Sequence, residues 1–237
     1  THPPAPAGTG GFAPKNTSVA GYSPYLQWVI TIFMIMFGVN FNIYFLLLMR
    51  RFRDVAKNDE FRSYLLIILT SVALIVWNLI RSGTAIGMAF GDTLRHSAFQ
   101  VASIMTTTGF STIDFDLWPE LSKTILVLLM FIGACAGSTG GGLKVSRIVI
   151  LCKNGLNELR SYVHPRSVRK LKMDGKTLDD GVSRSVGVYF FTYMLIFTVS
   201  LLILCRDGMN FSTNFTAVAA TFNNIGPGPS LGGPTMK

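Results

Sequence analysis

The chain has 237 residues, 49% hydrophobic and only 14% charged, with a mean hydropathy of +0.44. Soluble domains carry roughly 25% charged residues, so this deficit points to a bilayer protein. The net charge of +9 does not mark a nucleic-acid binder. Fifteen of the 21 Lys and Arg residues fall in two segments between apolar runs, 50–62 and 143–184, the pattern of loops retained on the cytoplasmic side.

Cys135, Cys152 and Cys205 are isolated, with no spacing for a disulfide framework or a metal. His2, His96 and His164 lie in different segments, and no His, Cys and carboxylate cluster has catalytic spacing, which excludes an enzyme. The opening Thr1-His2-Pro3-Pro4 is neither an initiator nor a leader, and the chain reads as part of a longer protein.

In chain order, Gly8-Thr9-Gly10-Gly11-Phe12 is the first of three glycine-bearing polar segments. Residues 25–49 then form an apolar run expected to span without interruption, since a bilayer core of about 30 Å needs roughly 20 helical residues. Asn40 and Asn42 inside it are expected to face protein. Arg50-Arg51 ends the run, and 51–62 reads as a cytoplasmic loop. A second span is expected over 63–90, with Arg81 snorkelling at its far end.

Residues 92–105 are too short to cross and read as a re-entrant helix. Thr106-Thr107-Thr108-Gly109-Phe110 follows, then an acidic link with Asp114, Asp116 and Glu120. The third span starts near Leu121 and is expected to break at 133–142, where Gly133, Gly137, Gly140, Gly141 and Gly142 each cost a helix about 1 kcal/mol relative to Ala. It resumes over Leu143–Cys152. A basic connection fills 153–184, and the fourth span covers 185–205. Phe211–Phe222 is a second short helix, followed by Asn223-Asn224-Ile225-Gly226-Pro227-Gly228. Alternating the four spans puts both basic loops on one face and all three glycine segments toward the other. Asp92, Asp114, Asp116, Glu120 and Asp207 fall on that outer side, where they can enrich cations.

The recurring unit is spanning helix, short helix, polar segment, spanning helix, and 117 positions separate Gly109 from Gly226. Irregular backbone at membrane depth survives only where it is buried in protein or lines a water-filled path. A dehydrated cation needs oxygen ligands, and backbone carbonyls supply them without a fixed charge that would hold the ion too tightly. Glycine permits the backbone angles that aim successive carbonyls at one axis. Gly137-Ser138-Thr139-Gly140-Gly141-Gly142-Leu143-Lys144 has the look of a phosphate-binding loop, but its lysine is one place late and a helix precedes it, not a strand.

The segments at 106–110, at 137–142 with Lys144, and at 223–228 resemble the Trk/Ktr/HKT superfamily of potassium transporters, most closely its bacterial Trk H-type membrane subunits. The resemblance implies an all-α integral membrane fold of repeated helix–pore-helix–filter–helix units in pseudo-fourfold array. Residues 1–50 would end the second repeat, 63–152 form the third, and 185–237 begin the fourth, with 51–62 and 153–184 as cytoplasmic connections. It places filter carbonyls at Thr9, Gly10 and Gly11, at Thr107, Thr108 and Gly109, and at Asn224, Ile225 and Gly226. It makes Gly137, Ser138, Thr139, Gly140, Gly141 and Gly142 an intramembrane gate loop below the filter. It further implies potassium as the transported ligand with no covalently bound cofactor, a bacterial cytoplasmic membrane location, a cytosolic nucleotide-binding regulatory subunit and a membrane homodimer. The residues alone leave a second function class open, a secondary carrier that binds a solute at the broken helix.

Overall fold

A computed structural model describes residues 18–84, 88–163 and 171–226. Among them are nine α-helices: α1 (Pro24–Phe37), α2 (Phe41–Leu48), α3 (Phe52–Lys57), α4 (Asp59–Arg81), α5 (Phe90–Met105), α6 (Glu120–Ile132), α7 (Val145–Val163), α8 (Asp180–Leu204) and α9 (Phe211–Phe222). A two-stranded hairpin of β1 (Lys172–Met173) and β2 (Lys176–Thr177) joins α7 to α8. Helices α4 and α8, of 23 and 25 residues with mean hydropathy 2.2 and 2.1, are long and apolar enough to cross a membrane.

The short helices α5 and α9 fall where the sequence places them, and the third span breaks after Ile132 as expected. The second span runs over Asp59–Arg81, starting within the expected 51–62 loop and ending short of residue 90, and α3 occupies the rest of that loop. Two further expectations fail. Residues 25–49 are not one run: α1 and α2 meet at 93° around Gly38-Val39-Asn40. Asn42 is exposed, while Asn40 caps α2 by accepting the Asn42 N–H at 2.9 Å.

The bend has a tertiary cause. A Cβ at Gly38 would collide with the Tyr64 hydroxyl of α4 and lie 2.8 Å from Thr106 Cγ2. The chain turns there, and the second broken helix takes over the freed backbone groups. Cys135 N–H donates to Gly38 O at 3.0 Å, and Phe41 N–H donates to Gly137 O at 3.2 Å. Each break satisfies the other, as a low-dielectric setting requires.

Helix α4 is central, its first turn capped by Asn58 Oδ1 accepting the Phe61 N–H at 2.8 Å. Its buried face (Tyr64, Ile68, Ile75, Leu79) shares a core with Val101, Ile104 and Met105 of α5 and Leu126, Leu129 and Met130 of α6. Arg81 ends α4 exposed at the helix terminus, its guanidinium 5.3 Å from the Trp77 ring centre. Phe131 at the end of α6 joins Phe197, Phe215 and Phe222 in an aromatic cluster with centroid spacings of 5.1 to 6.3 Å that seats α8 on α9. Much of the outer surface of α4 and α8 is apolar, Leu66, Leu69, Phe191, Leu202 and Ile203 among it, which fits contact with acyl chains or further protein.

Two matched hairpins and the loop beneath them

Helices α5 and α9 end in the same way. At the first, Thr107 N–H donates to Ile104 O at 3.1 Å and Thr108 N–H to Ser103 O at 2.9 Å. At the second, Asn224 N–H donates to Thr221 O at 3.1 Å and Ile225 N–H to Ala220 O at 2.8 Å. Both are Schellman terminations with a left-handed residue just past the helix, Thr107 at φ 55° and Asn224 at φ 56°. Two residues on, Gly109 and Gly226 also take positive φ, 78° and 100°. Donors, acceptors and turning residues all correspond at a constant offset of 117, the separation of the two glycines.

Side chains around the first hairpin are turned to bracing it. Thr106 Oγ1 donates to Ala102 O at 2.7 Å and lies 2.8 Å from Thr108 Oγ1. Ser103 Oγ donates to Phe110 O. At the second hairpin, Tyr193 of α8 donates its hydroxyl proton to Asn223 Oδ1 at 2.6 Å, and Asn223 Nδ2 donates to Ala219 O at 2.8 Å.

The carbonyls are treated differently. Thr107 and Thr108 are 0% and 2% exposed and Gly109 is buried. Among the described residues no donor reaches the carbonyl oxygens of these three. Buried carbonyls are otherwise nearly always paired. Neither α5 nor α9 has a basic residue in its last turn, so the partial negative charge of each C-terminus stays uncompensated beside its hairpin.

The 133–144 loop sits against both hairpins. Gly141 N–H donates to Thr107 Oγ1 at 2.7 Å, and a Cβ on Gly141 would lie 2.5 Å from Asn223 O. One at Gly140 would lie 3.0 Å from Thr106 O. Glycine at these positions is a matter of approach: only a backbone without side chains fits under the two turns. Lys144, at φ 77°, folds its ammonium back onto Gly140 O. Thus Gly140 and Gly141 of the Gly137–Gly142 segment meet Thr106 and Thr107 at one turn and Asn223, next to Asn224–Gly226, at the other, while Thr9, Gly10 and Gly11 lie outside the described residues.

The acidic residues that the sequence assigns to the outer side are engaged locally. Asp92 pairs with Arg95 at 2.6 Å and Glu120 with Lys123 at 2.6 Å, and Asp114 caps the turn over Phe115–Leu117. Arg95 Nε also donates to Gln27 Oε1 at 2.9 Å, tying α5 to α1. Its Nη2 is 3.3 Å from His96 Nε2, and His96 Nδ1 is 2.9 Å from Thr112 Oγ1. Because a guanidinium only donates, Nε2 accepts and the proton sits on Nδ1, facing Thr112 just beyond the hairpin. On this short, non-spanning helix, burial first and the Arg95 charge second hold the imidazole below the ordinary histidine range.

Sequence reasoning missed Glu60, whose buried carboxylate reaches the loop at Ala136 N–H, 2.6 Å away. An acid in the first turn of α4 reads as helix capping, which hides that reach. It also missed Tyr193, one aromatic in an apolar run, and the 172–177 hairpin, which Asp174-Gly175 at positive φ signals.

Taken with two helices long and apolar enough to cross a membrane, this arrangement of short helices ending in matched polar turns defines an all-α integral membrane protein of a transport type. Residues 7–237 match the TrkH family, described as cation transport protein, and the chain belongs to that family, one of transporters and not of enzymes. It is 38% identical over 226 residues to the Trk system potassium uptake protein TrkH of Salmonella typhimurium and 37% identical to that of Escherichia coli K12, in each case over 92% of this chain and 45% of the relative. The crystal structure of the potassium transporter TrkH from Vibrio parahaemolyticus superposes with a TM-score of 0.85 at 34% identity, covering 94% of this chain and 48% of that one. The chain therefore spans about half the length of the relatives it matches.

Proposed function

We propose that this chain supplies part of a potassium-selective uptake pore in a bacterial cytoplasmic membrane. The carbonyls of Thr107, Thr108 and Gly109 and of Asn224, Ile225 and Gly226 form two sides of its filter, and Thr9, Gly10 and Gly11 a third. The observation that carries this reading is the run of buried carbonyls at one hairpin that no donor among the described residues reaches, together with its geometric twin 117 residues on. Oxygens left without protein donors are suited to replace the water shell of a cation. On this reading residues 1–50, 63–152 and 185–237 belong to successive pore repeats, and Gly137–Gly142 is the gate, lying against the base of both hairpins. A membrane homodimer and a cytosolic nucleotide-binding subunit complete the assembly, with the basic 153–184 connection facing that subunit.

The carrier alternative is disfavoured by the breaks themselves. The N–H groups of Cys135, Ala136 and Gly141 and the carbonyls of Gly38 and Gly137 are already bonded to protein, which leaves little of the broken backbone to bind a solute.

Replacing Gly109 or Gly226 with valine in the full-length protein forces a branched side chain into positive φ and displaces the adjacent carbonyls. Rubidium flux into proteoliposomes should collapse or lose its preference over sodium. Flux and selectivity that survive both substitutions would remove the filter assignment.

A further inference from the structure

We propose that Glu60 is the positioning residue that holds the 133–144 loop against the hairpins, and that the 172–177 hairpin controls it through the adjacent Asp59. The inference rests on the pore reading above and adds its regulation.

Glu60 is 4% exposed in the first turn of α4. Its Oε1 accepts the Ala136 N–H at 2.6 Å and the Ser146 N–H at 3.2 Å, one inside the loop and one in the first turn of α7. Its Oε2 accepts Asn40 Nδ2 at 3.3 Å, at the break between α1 and α2. A single carboxylate thus fastens both broken helices, through hydrogen bonds that its charge strengthens about twofold over neutral ones.

One residue earlier, the chain faces the cytoplasmic hairpin. Asp59 Oδ2 accepts Lys153 Nζ of α7 at 2.6 Å and the Asp174 N–H at 3.2 Å. Asp174 answers with both oxygens: Oδ1 takes the Asp59 N–H at 2.7 Å and Oδ2 takes Asn58 Nδ2 at 3.0 Å. Lys153 Nζ also donates to Lys172 O at 2.9 Å. The hairpin is therefore latched across the N-terminus of α4 and the flank of α7. Asn58 is also the residue that caps α4. Lifting the hairpin removes contacts from the turn that carries Glu60, and the loop's anchor loosens with it. Residues 58–60 join a surface element to the loop within a single helical turn, a contiguous physical link.

The test uses the full-length protein in liposomes, with every cysteine but Cys135 replaced by serine. Cys135, 1% exposed and next to Ala136, reports loop release through its labelling rate with a small charged methanethiosulfonate. Single-channel recording in potassium runs in parallel. Asp174→Ala, on the exposed hairpin, and Glu60→Gln should each raise labelling and open probability about fivefold or more. Unitary current and ion preference should not change, and the double variant should gain no more than the stronger single one. Unchanged labelling in Asp174→Ala overturns the latch, and unchanged labelling in Glu60→Gln overturns the positioning role. Should Glu60→Gln fail to fold, Glu60→Asp, which keeps the charge and shortens the reach to Ala136, takes its place with the same readouts. Faster labelling in a protein that passes no potassium would refute the pore reading while upholding the coupling.

Discussion

Thr107 concentrates the chemistry of the hairpin in one residue. It sits at φ 55°, where a β-branched residue is strained and glycine is the usual choice. What it provides in return is a hydroxyl oxygen that accepts the Gly141 N–H at 2.7 Å. On the proposed reading, threonine serves the filter with its carbonyl, while its side chain holds the loop. Thr107→Val keeps the shape and the strain but removes the acceptor, leaving a half-buried N–H unpaired at a cost of about 1 kcal/mol. Thermal unfolding of the full-length protein should show the loss, and open probability should rise, whereas Thr107→Ser should stay near the parent in both. If valine and serine behave alike, the hydroxyl has no role in holding the loop.

At the level of elements, the two broken helices are the informative units, and only one was visible beforehand. The break after Ile132 is legible because five glycines crowd into ten positions. The bend at Gly38 is not, because a single glycine in a long apolar run costs a helix only about 1 kcal/mol. Its cause is the approach of Tyr64 and Thr106, residues 26 and 68 positions away, and no local pattern encodes that contact. The same limit hid Glu60 and Tyr193, whose roles exist only once α4 meets the loop and α8 meets α9. Gly38→Ala should overpack this junction by about 1–3 kcal/mol, measured as a lower unfolding temperature. Tyr64→Phe, which removes the nearest atom, should recover part of the loss, and a Gly38→Ala protein of parental stability would contradict the close-packed junction. Shortening Gly137–Gly142 should raise open probability if the loop obstructs the path. A shortened loop that conducts no more than the parent would contradict its gating role.

Across the whole molecule, the order of features was readable because bilayer thickness fixes helix length and polar backbone must be hidden or used. Helices α5 and α9 follow from that logic, down to the Phe211–Phe222 bounds of the latter. Their twin terminations emerge only from hydrogen bonding, since Thr-Thr-Thr-Gly and Asn-Asn-Ile-Gly share little beyond the final glycine. The central claim is that main-chain oxygens of both turns coordinate one file of alkali cations. Anomalous diffraction from crystals of the full-length protein grown in rubidium tests it most directly. The account predicts anomalous peaks on a line between the Thr107–Gly109 and Asn224–Gly226 carbonyls, above Gly141. Ordered rubidium elsewhere in the protein with no peak between these two segments would contradict it.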